Sequence, residues 1–314
     1  MNGYRGVTVL FVLAAAALPA AGQTNTVFNF LRNDVGARAA ALAGSFVSVT
    51  NDPSTLFYNA GALPTLEAPR GTAGFLKHLL DINSGYVVYS QSVPEIGTLA
   101  AGVIYTNYGS FDETDELGNT VGTFTAADIA VTAGYGDLID EDLYAGGAIK
   151  FIHSSIAGYR SSALAVDAGI LYVIPQSRLS LGASIRNLGA QLSTYAGVRE
   201  SLPLDVTIGG SIVPRGLPLL LNVNFHKLNE NPGGFVDRFR AFTVGGEFTL
   251  SRVFLLRFGY DNEERKDLKT GTTAGLAGFS AGIGIMISDY QVDYAISSLG
   301  TIGSLHRISV SSRF

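Results

Sequence analysis

The C-terminal end of the chain has a side-chain pattern that permits very few folds. Apolar and polar residues alternate almost perfectly, with Ile308, Val310, Ser312 and Phe314 on one side and Arg307, Ser309, Ser311 and Arg313 on the other. Successive side chains of a strand point to opposite faces, so one face of this strand is mostly apolar and the other polar. The same pattern recurs through most of the chain. It predicts an all-β protein, a transmembrane antiparallel β-barrel with hydrocarbon outside and water inside.

The first 22 residues have the form of a secretory signal peptide. Arg5 is the only charge, the stretch Val7 to Ala17 is apolar, and Ala20-Ala21-Gly22 resembles a cleavage site. We expect cleavage near Gly22 and Sec-dependent export. No cysteine lies at the cut, which excludes a lipoprotein anchor.

Composition supports a barrel over a helical membrane protein. Mean hydropathy is +0.27 and only 15% of residues are charged, yet after the signal peptide no uncharged apolar run reaches the roughly 18–20 residues that a membrane helix needs. A barrel explains both facts, since its strands place apolar residues at every second position. The net charge of −5, without a basic cluster, argues against nucleic acid as a partner.

The alternation predicts about fourteen strands, an even number as in single-chain bacterial barrels. They are placed at Arg70–His78, Ile82–Val93, Gly97–Tyr108, Thr120–Gly136, Leu143–Ile156, Tyr159–Ile174, Arg178–Leu188, Pro203–Val213, Leu217–Lys227, Arg238–Leu250, Val253–Asn262, Ala274–Ile287, Tyr290–Ser298 and Leu305–Phe314. The barrel therefore spans residues 70–314. Short and long links alternate along most of the chain, as tight periplasmic turns and longer outer loops do in outer-membrane barrels. We place both termini on the periplasmic side and the protein in the bacterial outer membrane.

Parity along the strands assigns a set of charged residues to the lumen. A charged side chain on the lipid face costs about 2–4 kcal/mol at the bilayer midplane, so charges that share parity with polar neighbours are expected to face inward. The predicted lumen-facing charges are Asp128, Lys150, Asp167, Arg186, Asp205, Glu247, Arg257 and Asp293. We expect them to pair across the barrel, while Arg307, Ile308, Val310 and Phe314 mark the C-terminal strand that the barrel-assembly machinery would handle.

Residues 23–69 differ in character from the strands that follow. An Ala-rich stretch favours helix, and Asp-Pro-Ser-Thr at 52–55 is a plausible helix start. We predict a small helical hatch that plugs the barrel from the periplasmic side. A flap lying on the barrel surface is the alternative.

Two sequence blocks resemble the PorV/PorQ family within the wider FadL-like outer-membrane barrels. The first contains Phe30, Leu31, Gly36, Ala37, Arg38, Leu42, Asp52, Asn59 and Leu63; the second runs from Asp293-Tyr294-Ala295 through Gly303 to the C-terminal strand. The family usually has a proline after the residue equivalent to Asn59, where this chain has Ala60. The resemblance implies a fourteen-stranded FadL-like barrel with an N-terminal hatch.

The resemblance also implies a function. Proteins similar to PorV and PorQ serve type IX protein secretion, so the expected role is a cargo shuttle or accessory component. Its partners would be outer-membrane lipids, the translocon barrel and secreted proteins with C-terminal sorting domains. The alternative is a FadL-like transporter of hydrophobic small molecules, and a third class is a purely structural barrel. An apolar cluster lining the lumen would favour transport.

No motif indicates an enzyme, a cofactor or a metal site. Residues 278–282 match Gly-x-Ser-x-Gly, but that motif needs a strand-to-helix turn and here lies in a Gly-rich predicted strand. The four histidines, His78, His153, His226 and His306, are far apart in sequence. The acidic run 112–118 and the mixed-charge run 261–267 are interpreted as solvated outer loops. Lipid-modifying catalysis by lumen carboxylates remains a minor alternative.

Overall fold

The computed structural model describes residues 26–230, 233–234, 236–269 and 275–314. These residues form fourteen antiparallel strands closed into one barrel. The strands are β1 Arg70–Lys77, β2 Asn83–Val93, β3 Gly97–Thr114, β4 Thr120–Asp140, β5 Leu143–Ile156, β6 Tyr159–Ile174, β7 Leu179–Ser193, β8 Asp205–Ile212, β9 Leu219–Phe225, β10 Phe242–Thr249, β11 Phe254–Asp261, β12 Phe279–Ile287, β13 Tyr290–Ser298 and β14 Ser304–Arg313. The predicted signal peptide lies outside the described residues.

Every strand pairs with its neighbours in the chain, and β1 pairs with β14 to close the barrel. At the seam, Arg70 lies opposite Arg313 and Lys77 lies opposite His306. Closure leaves no free sheet edge, so backbone groups in the hydrocarbon are paired within the barrel. The predicted fold class is therefore confirmed.

The pleat separates a lipid face from a lumen face. On β11, Phe254, Leu256 and Phe258 are 52%, 43% and 47% exposed, whereas Arg257 between them is 1% exposed. On β14, Ile308 and Val310 point outward and Arg307 is buried inside. The outward apolar residues suit hydrocarbon, and the inward positions create the space in which the functional side chains lie.

The links between strands are short at one end of the barrel and mostly longer at the other. Turns at 94–96, 141–142, 250–253 and 288–289 occupy the end at which Phe314 lies, which we take as periplasmic. The predicted outer loops at 109–119 and 189–202 are shorter than expected. β3 continues to Thr114 and β7 to Ser193, because polar residues beyond the membrane still pair as strands.

The segment 26–69, called the hatch from here on, lies inside the barrel. It contains a short α-helix, α1 Ala37–Ala41, and three 3₁₀ helices at Asn29–Arg32, Pro53–Phe57 and Ala60–Thr65. Further along the chain are 3₁₀ helices at Pro175–Ser177 and Val236–Arg240 and a second α-helix, α2 Asn262–Asp267. None of the described helices is long and apolar enough to cross a membrane.

The hatch begins at the outer mouth of the barrel, contrary to the predicted periplasmic entry. The amide of Val27 donates to the carbonyl oxygen of Ser201 at 3.0 Å, in the outer link between β7 and β8. Arg32 forms an ion pair at 3.0 Å with Glu230, in the outer link after β9. The hatch then descends through the lumen, and the amide of Phe314 donates to the carbonyl of Pro69 at the periplasmic end. These bonds hold Thr26 and Pro69 at opposite ends.

Candidate functional site

The hatch lies directly against the barrel wall at ten inward-facing glycines. A Cβ built on any of these glycines would come within 3.0 Å of a hatch atom, so no other residue fits without displacement. They lie on nine of the fourteen strands, and the set is Gly102, Gly134, Gly136, Gly146, Gly169, Gly182, Gly209, Gly245, Gly259 and Gly282. The alternation of apolar and polar residues gives no sign of this use of glycine.

Local hydrogen bonds shape the lower half of the hatch. The Asp52 carboxylate accepts from the Ser54 amide at 2.9 Å and caps the helix that begins at Pro53. The Asn59 side chain accepts from the Gly61 amide, and its amide nitrogen donates to the carbonyl oxygens of Val47 and Ile170 at 2.7 and 2.9 Å. Asn59 therefore ties two parts of the hatch to β6.

Arg38 of α1 joins the hatch to the wall by ion pairs. Its guanidinium donates to both Glu247 oxygens at 2.8 Å and to Asp52 at 3.0 Å. Glu247 also accepts from Arg257 at 2.6 Å, and Arg257 in turn donates to Asp293 at 2.6 Å. Three of the predicted lumen charges therefore form one chain with the motif residue Arg38.

The other predicted lumen charges also lie inside the barrel, on neighbouring strands. Lys150 pairs with Asp167 at 2.9 Å and donates to the Asn187 amide oxygen at 2.6 Å. Arg186 pairs with Asp205 on the adjacent β8. Asp128 accepts from the Tyr108 hydroxyl at 2.7 Å. These charges do not pair across the barrel as expected, because the hatch fills the space between opposite walls.

The remaining motif residues serve the packing of the hatch. Phe30, Leu31, Leu42 and Leu63 are buried in its contacts with the wall, and Ala37 is buried against β13 and its neighbours. Gly36 has φ 90° and lies against the Tyr86 hydroxyl, which favours glycine there.

An apolar cluster covers part of the lumen wall, where parity predicts polar residues. It packs against Phe30, Leu56 and Phe57 of the hatch. Its wall members lie on β2 to β6 and are Val88, Ala100, Ile104, Ala130, Ala148, Ile152, Ala163 and Ala165. On these strands apolar residues occur on both faces, so alternation could not reveal the inner face.

A small, mostly apolar pocket of about 30 Å³ adjoins this cluster. Phe30 and Val35 of the hatch line it, together with Leu76, Tyr86 and Ile104 of the wall. The lining also includes Phe75, Gly85 and Ile308, and it contains two charged residues, Asp34 and Arg307. Phe75 on β1 and Ile308 on β14 belong to the lipid face, so the pocket extends to the wall where β14, β1 and β2 run side by side. Gly85 on β2, which has no side chain, lies at this point of the wall.

A larger polar cavity of about 250 Å³ lies above the hatch at the outer mouth. Its floor includes Asp34 and Tyr58 of the hatch, and its wall includes Arg307. Helix α2 contributes Glu263 and Glu264 to its roof. The run 261–267, interpreted from sequence as a solvated loop, is therefore a helix whose N-terminus is capped by the Asp261 carboxylate.

The roof of this cavity carries shifted titratable groups. Burial, assisted by the carboxylates of Asp261 and Asp34, raises the pKa of Glu264 to about 7. Burial opposes ionisation of Glu263 too, but hydrogen bonds from His226 and Lys227 outweigh it and lower that pKa to about 2. Burial disfavours the charged form of His226, yet the bond to Glu263 prevails and raises the pKa of His226.

The fold does not assemble a catalytic or metal site from the other sequence motifs in the described residues. Ser280 of the Gly-x-Ser-x-Gly match lies in β12 and donates to the Ser297 hydroxyl at 3.0 Å, without a strand-to-helix turn. Across the described parts of the chain, no three His, Asp or Glu side chains are grouped to hold a metal ion.

Gly182→Ala is expected to destabilise the hatch, because the new methyl group would meet the backbone of Val47 and Ser48. The overpacking cost is about 1–3 kcal/mol. Unfolding by denaturant in lipid vesicles measures it, and protease cleavage of the hatch reports displacement. Gly210→Ala is the control, since its nearest neighbour is the end of the Leu181 side chain at 3.2 Å and the Ser180 carbonyl oxygen lies at an ordinary contact distance of 3.5 Å. Equal stability of the two variants would contradict the close contact.

Arg38→Met is expected to lower the free energy of unfolding by about 3–5 kcal/mol, since it leaves Asp52 without its ion-pair partner and Glu247 with Arg257 as its only cation. Arg32→Met is the matched control. The Arg32–Glu230 pair is 28% and 32% exposed, so its loss costs about 0–1 kcal/mol. Equilibrium unfolding of both proteins makes the comparison, and similar losses would argue against the anchoring role.

The α2 roof is expected to loosen as pH rises from about 5 to 8. Because its folded pKa is about 7 and its ordinary value 4.5, Glu264 destabilises the roof increasingly across that window. The stabilising charge on His226 is also lost as pH rises through its raised pKa, whereas Glu263 stays ionised throughout. Hydrogen exchange of amides 262–268, corrected for intrinsic rates, measures the loosening.

Glu264→Gln should weaken this pH dependence, and Glu116→Gln, an exposed outer-link control, should leave it intact. A pH dependence unchanged by Glu264→Gln would refute the assignment.

Comparison with known proteins shows the fold. No protein-family profile matches the chain, and no curated protein matches its sequence. Among solved structures, the Ralstonia pickettii toluene transporter TbuX aligns with a TM-score of 0.64 at 12% identity, over 92% of this chain and 100% of that one. The Pseudomonas putida toluene transporter TodX aligns with 0.63 at 14%, over 89% and 98%.

A Pseudomonas aeruginosa FadL homologue aligns with a TM-score of 0.57 at 11% identity, over 93% of this chain and 100% of that one. At these identities the likeness establishes architecture alone. The chain has a FadL-like fourteen-strand barrel fold of the outer-membrane type.

Proposed function

We propose that this protein is an outer-membrane channel for small hydrophobic molecules. The single observation that carries the proposal is the apolar cluster inside the lumen, which adjoins a pocket lined in part by Phe75 and Ile308 of the lipid face. A lumen wall lined by aliphatic side chains offers apolar contacts to a hydrophobic molecule that passes beside the hatch, as the lining of a ligand pocket does. The fold shared with two toluene transporters supports the same proposal.

In the proposed route, a molecule passes beside the hatch and leaves through the wall near Gly85. The pocket has room for only about two water molecules, at roughly 10–15 Å³ for each. Entry therefore requires Phe30 and Val35 to move. The wall glycines that contact the hatch all meet residues after Gly36. We therefore propose that the segment before Gly36, which includes Phe30 and Val35, is the part of the hatch that moves.

Gly85→Leu is expected to reduce uptake severalfold. A Cβ at residue 85 has its nearest neighbour at 3.6 Å, the Gly74 carbonyl oxygen, so the barrel should fold while the larger side chain covers the pocket from the lipid side. Uptake of radiolabelled toluene by cells that lack other hydrophobic channels measures the effect. Ala133→Leu adds bulk to an exposed position of β4 and is the control.

Wild-type uptake no faster than that of cells without the protein would refute the channel. Uptake undiminished by Gly85→Leu would refute the exit through the wall.

Participation in type IX secretion is the second candidate, and it rests on the two sequence blocks. In this chain the residues of the first block pack the hatch, cap its helices and hold Arg38 against Glu247, while the second block belongs to β13, β14 and the link between them. Any barrel with this hatch would need the same contacts, so the blocks do not favour secretion over transport.

A mild-detergent pull-down of the tagged protein from its own membranes separates the two candidates. Protein and small-molecule mass spectrometry are applied to the same eluate. Recovery of a translocon barrel or of exported proteins with C-terminal sorting domains would establish the secretion role. Recovery of small hydrophobic molecules without such proteins is the expected result.

A further inference from the structure

The outer ends of β9 to β12 carry a continuous band of aromatic side chains. Phe225 and Phe242 have ring centroids 6.4 Å apart, Phe242 and Tyr260 6.2 Å, and Tyr260 and Phe279 5.0 Å. Aromatic side chains at this position mark the level of a membrane interface. Phe239 from the following outer link packs edge-on against Phe225 at 5.5 Å and extends the band upward.

A surface cavity of about 240 Å³ lies directly beyond this band. Arg238 and Arg240, the two neighbours of Phe239 in sequence, both line it, and Lys266 of α2 lines it from the other side. The aromatic anchor thus places two guanidinium groups at the height where the headgroups of the outer leaflet begin.

The charges around this cavity do not cancel. Each of its carboxylates already has a cationic partner: Glu230 pairs with Arg32, Asp237 with Arg240, and Glu263 with Lys227. Arg238 and Lys266 form no ion pair or side-chain hydrogen bond within the described residues, and the Arg238 Nε is buried without a hydrogen-bond partner. Two uncompensated cations therefore converge on one cavity.

We propose that this cavity binds the phosphate of an anionic outer-leaflet lipid through Arg238 and Lys266. A guanidinium and an ammonium together match the charge and the acceptor oxygens of a phosphate monoester. The aromatic band favours a lipid over soluble phosphate, since the acyl chains would lie along the apolar wall below. The site shares Lys227 and Glu263 with the polar cavity at the outer mouth but no residue with the apolar pocket, so it is independent of the proposed transport route.

Native mass spectrometry of the delipidated barrel in detergent tests the site. The probes are lipid A carrying both phosphates, lipid A stripped of phosphate, and inorganic phosphate alone. We expect preferential binding of the phosphorylated lipid and a loss of about thirtyfold in its affinity for R238Q/K266Q, in line with two basic groups near an anionic surface.

Arg199→Gln, an exposed arginine in the outer link before β8, is the control and should bind like wild type. The charge-conserving R238K/K266R should recover most of the affinity, and the mobility of unheated protein on gels verifies that each variant is folded. Equal binding of lipid A with and without phosphate, or full affinity in R238Q/K266Q, would overturn the proposal. Inorganic phosphate that binds as tightly as the lipid would assign a soluble anion instead and overturn the lipid.

Discussion

The close approach between the hatch backbone and the barrel wall is the contact on which the other features depend. A barrel of fourteen strands encloses a lumen too wide for its own side chains to fill. Inward-facing glycines let a folded segment lie directly against the sheet, as at Gly182 beside Val47 and Gly259 beside Ala43. Because the wall has no side chains at these glycines, residues of the hatch pack against the sheet in their place. The apolar pocket and the polar cavity are the parts of the lumen that the hatch leaves unfilled.

The buried ion pairs determine how the hatch is oriented inside the barrel. Arg38 faces β10 and β11, so α1 is held on the charged side of the lumen, while Leu56 and Phe57 meet the apolar wall on the opposite side. A plug held by charges at one side and by apolar contact at the other has one preferred rotation within a nearly cylindrical barrel. Buried ion pairs contribute little net stability but are costly to break singly, which suits them to this orienting task.

Much of the barrel was predictable because a strand exposed to lipid on one face and to polar groups on the other has an unmistakable period of two. The predicted limits of β5, β6 and β13 match the structure residue for residue. Prediction failed where that contrast disappears. Ile104 and Ile152 belong to strands that are apolar on both faces, and α2 was hidden because a mixed-charge helix lacks an apolar stripe. The outer entry of the hatch depends on the contact of Val27 with Ser201, which no local pattern encodes.

The descent of the hatch from outer mouth to periplasmic end constrains the order of assembly. Thr26 is held at one end of the lumen and Pro69 at the other, so the segment threads the whole barrel before β1 begins. A finished, closed cylinder would offer the charged Arg38 and the capped helices only a narrow entrance. The seam between β1 and β14 is therefore best closed last, around a segment already inside, so that residues 26–69 act as the template on which the last strand completes the ring.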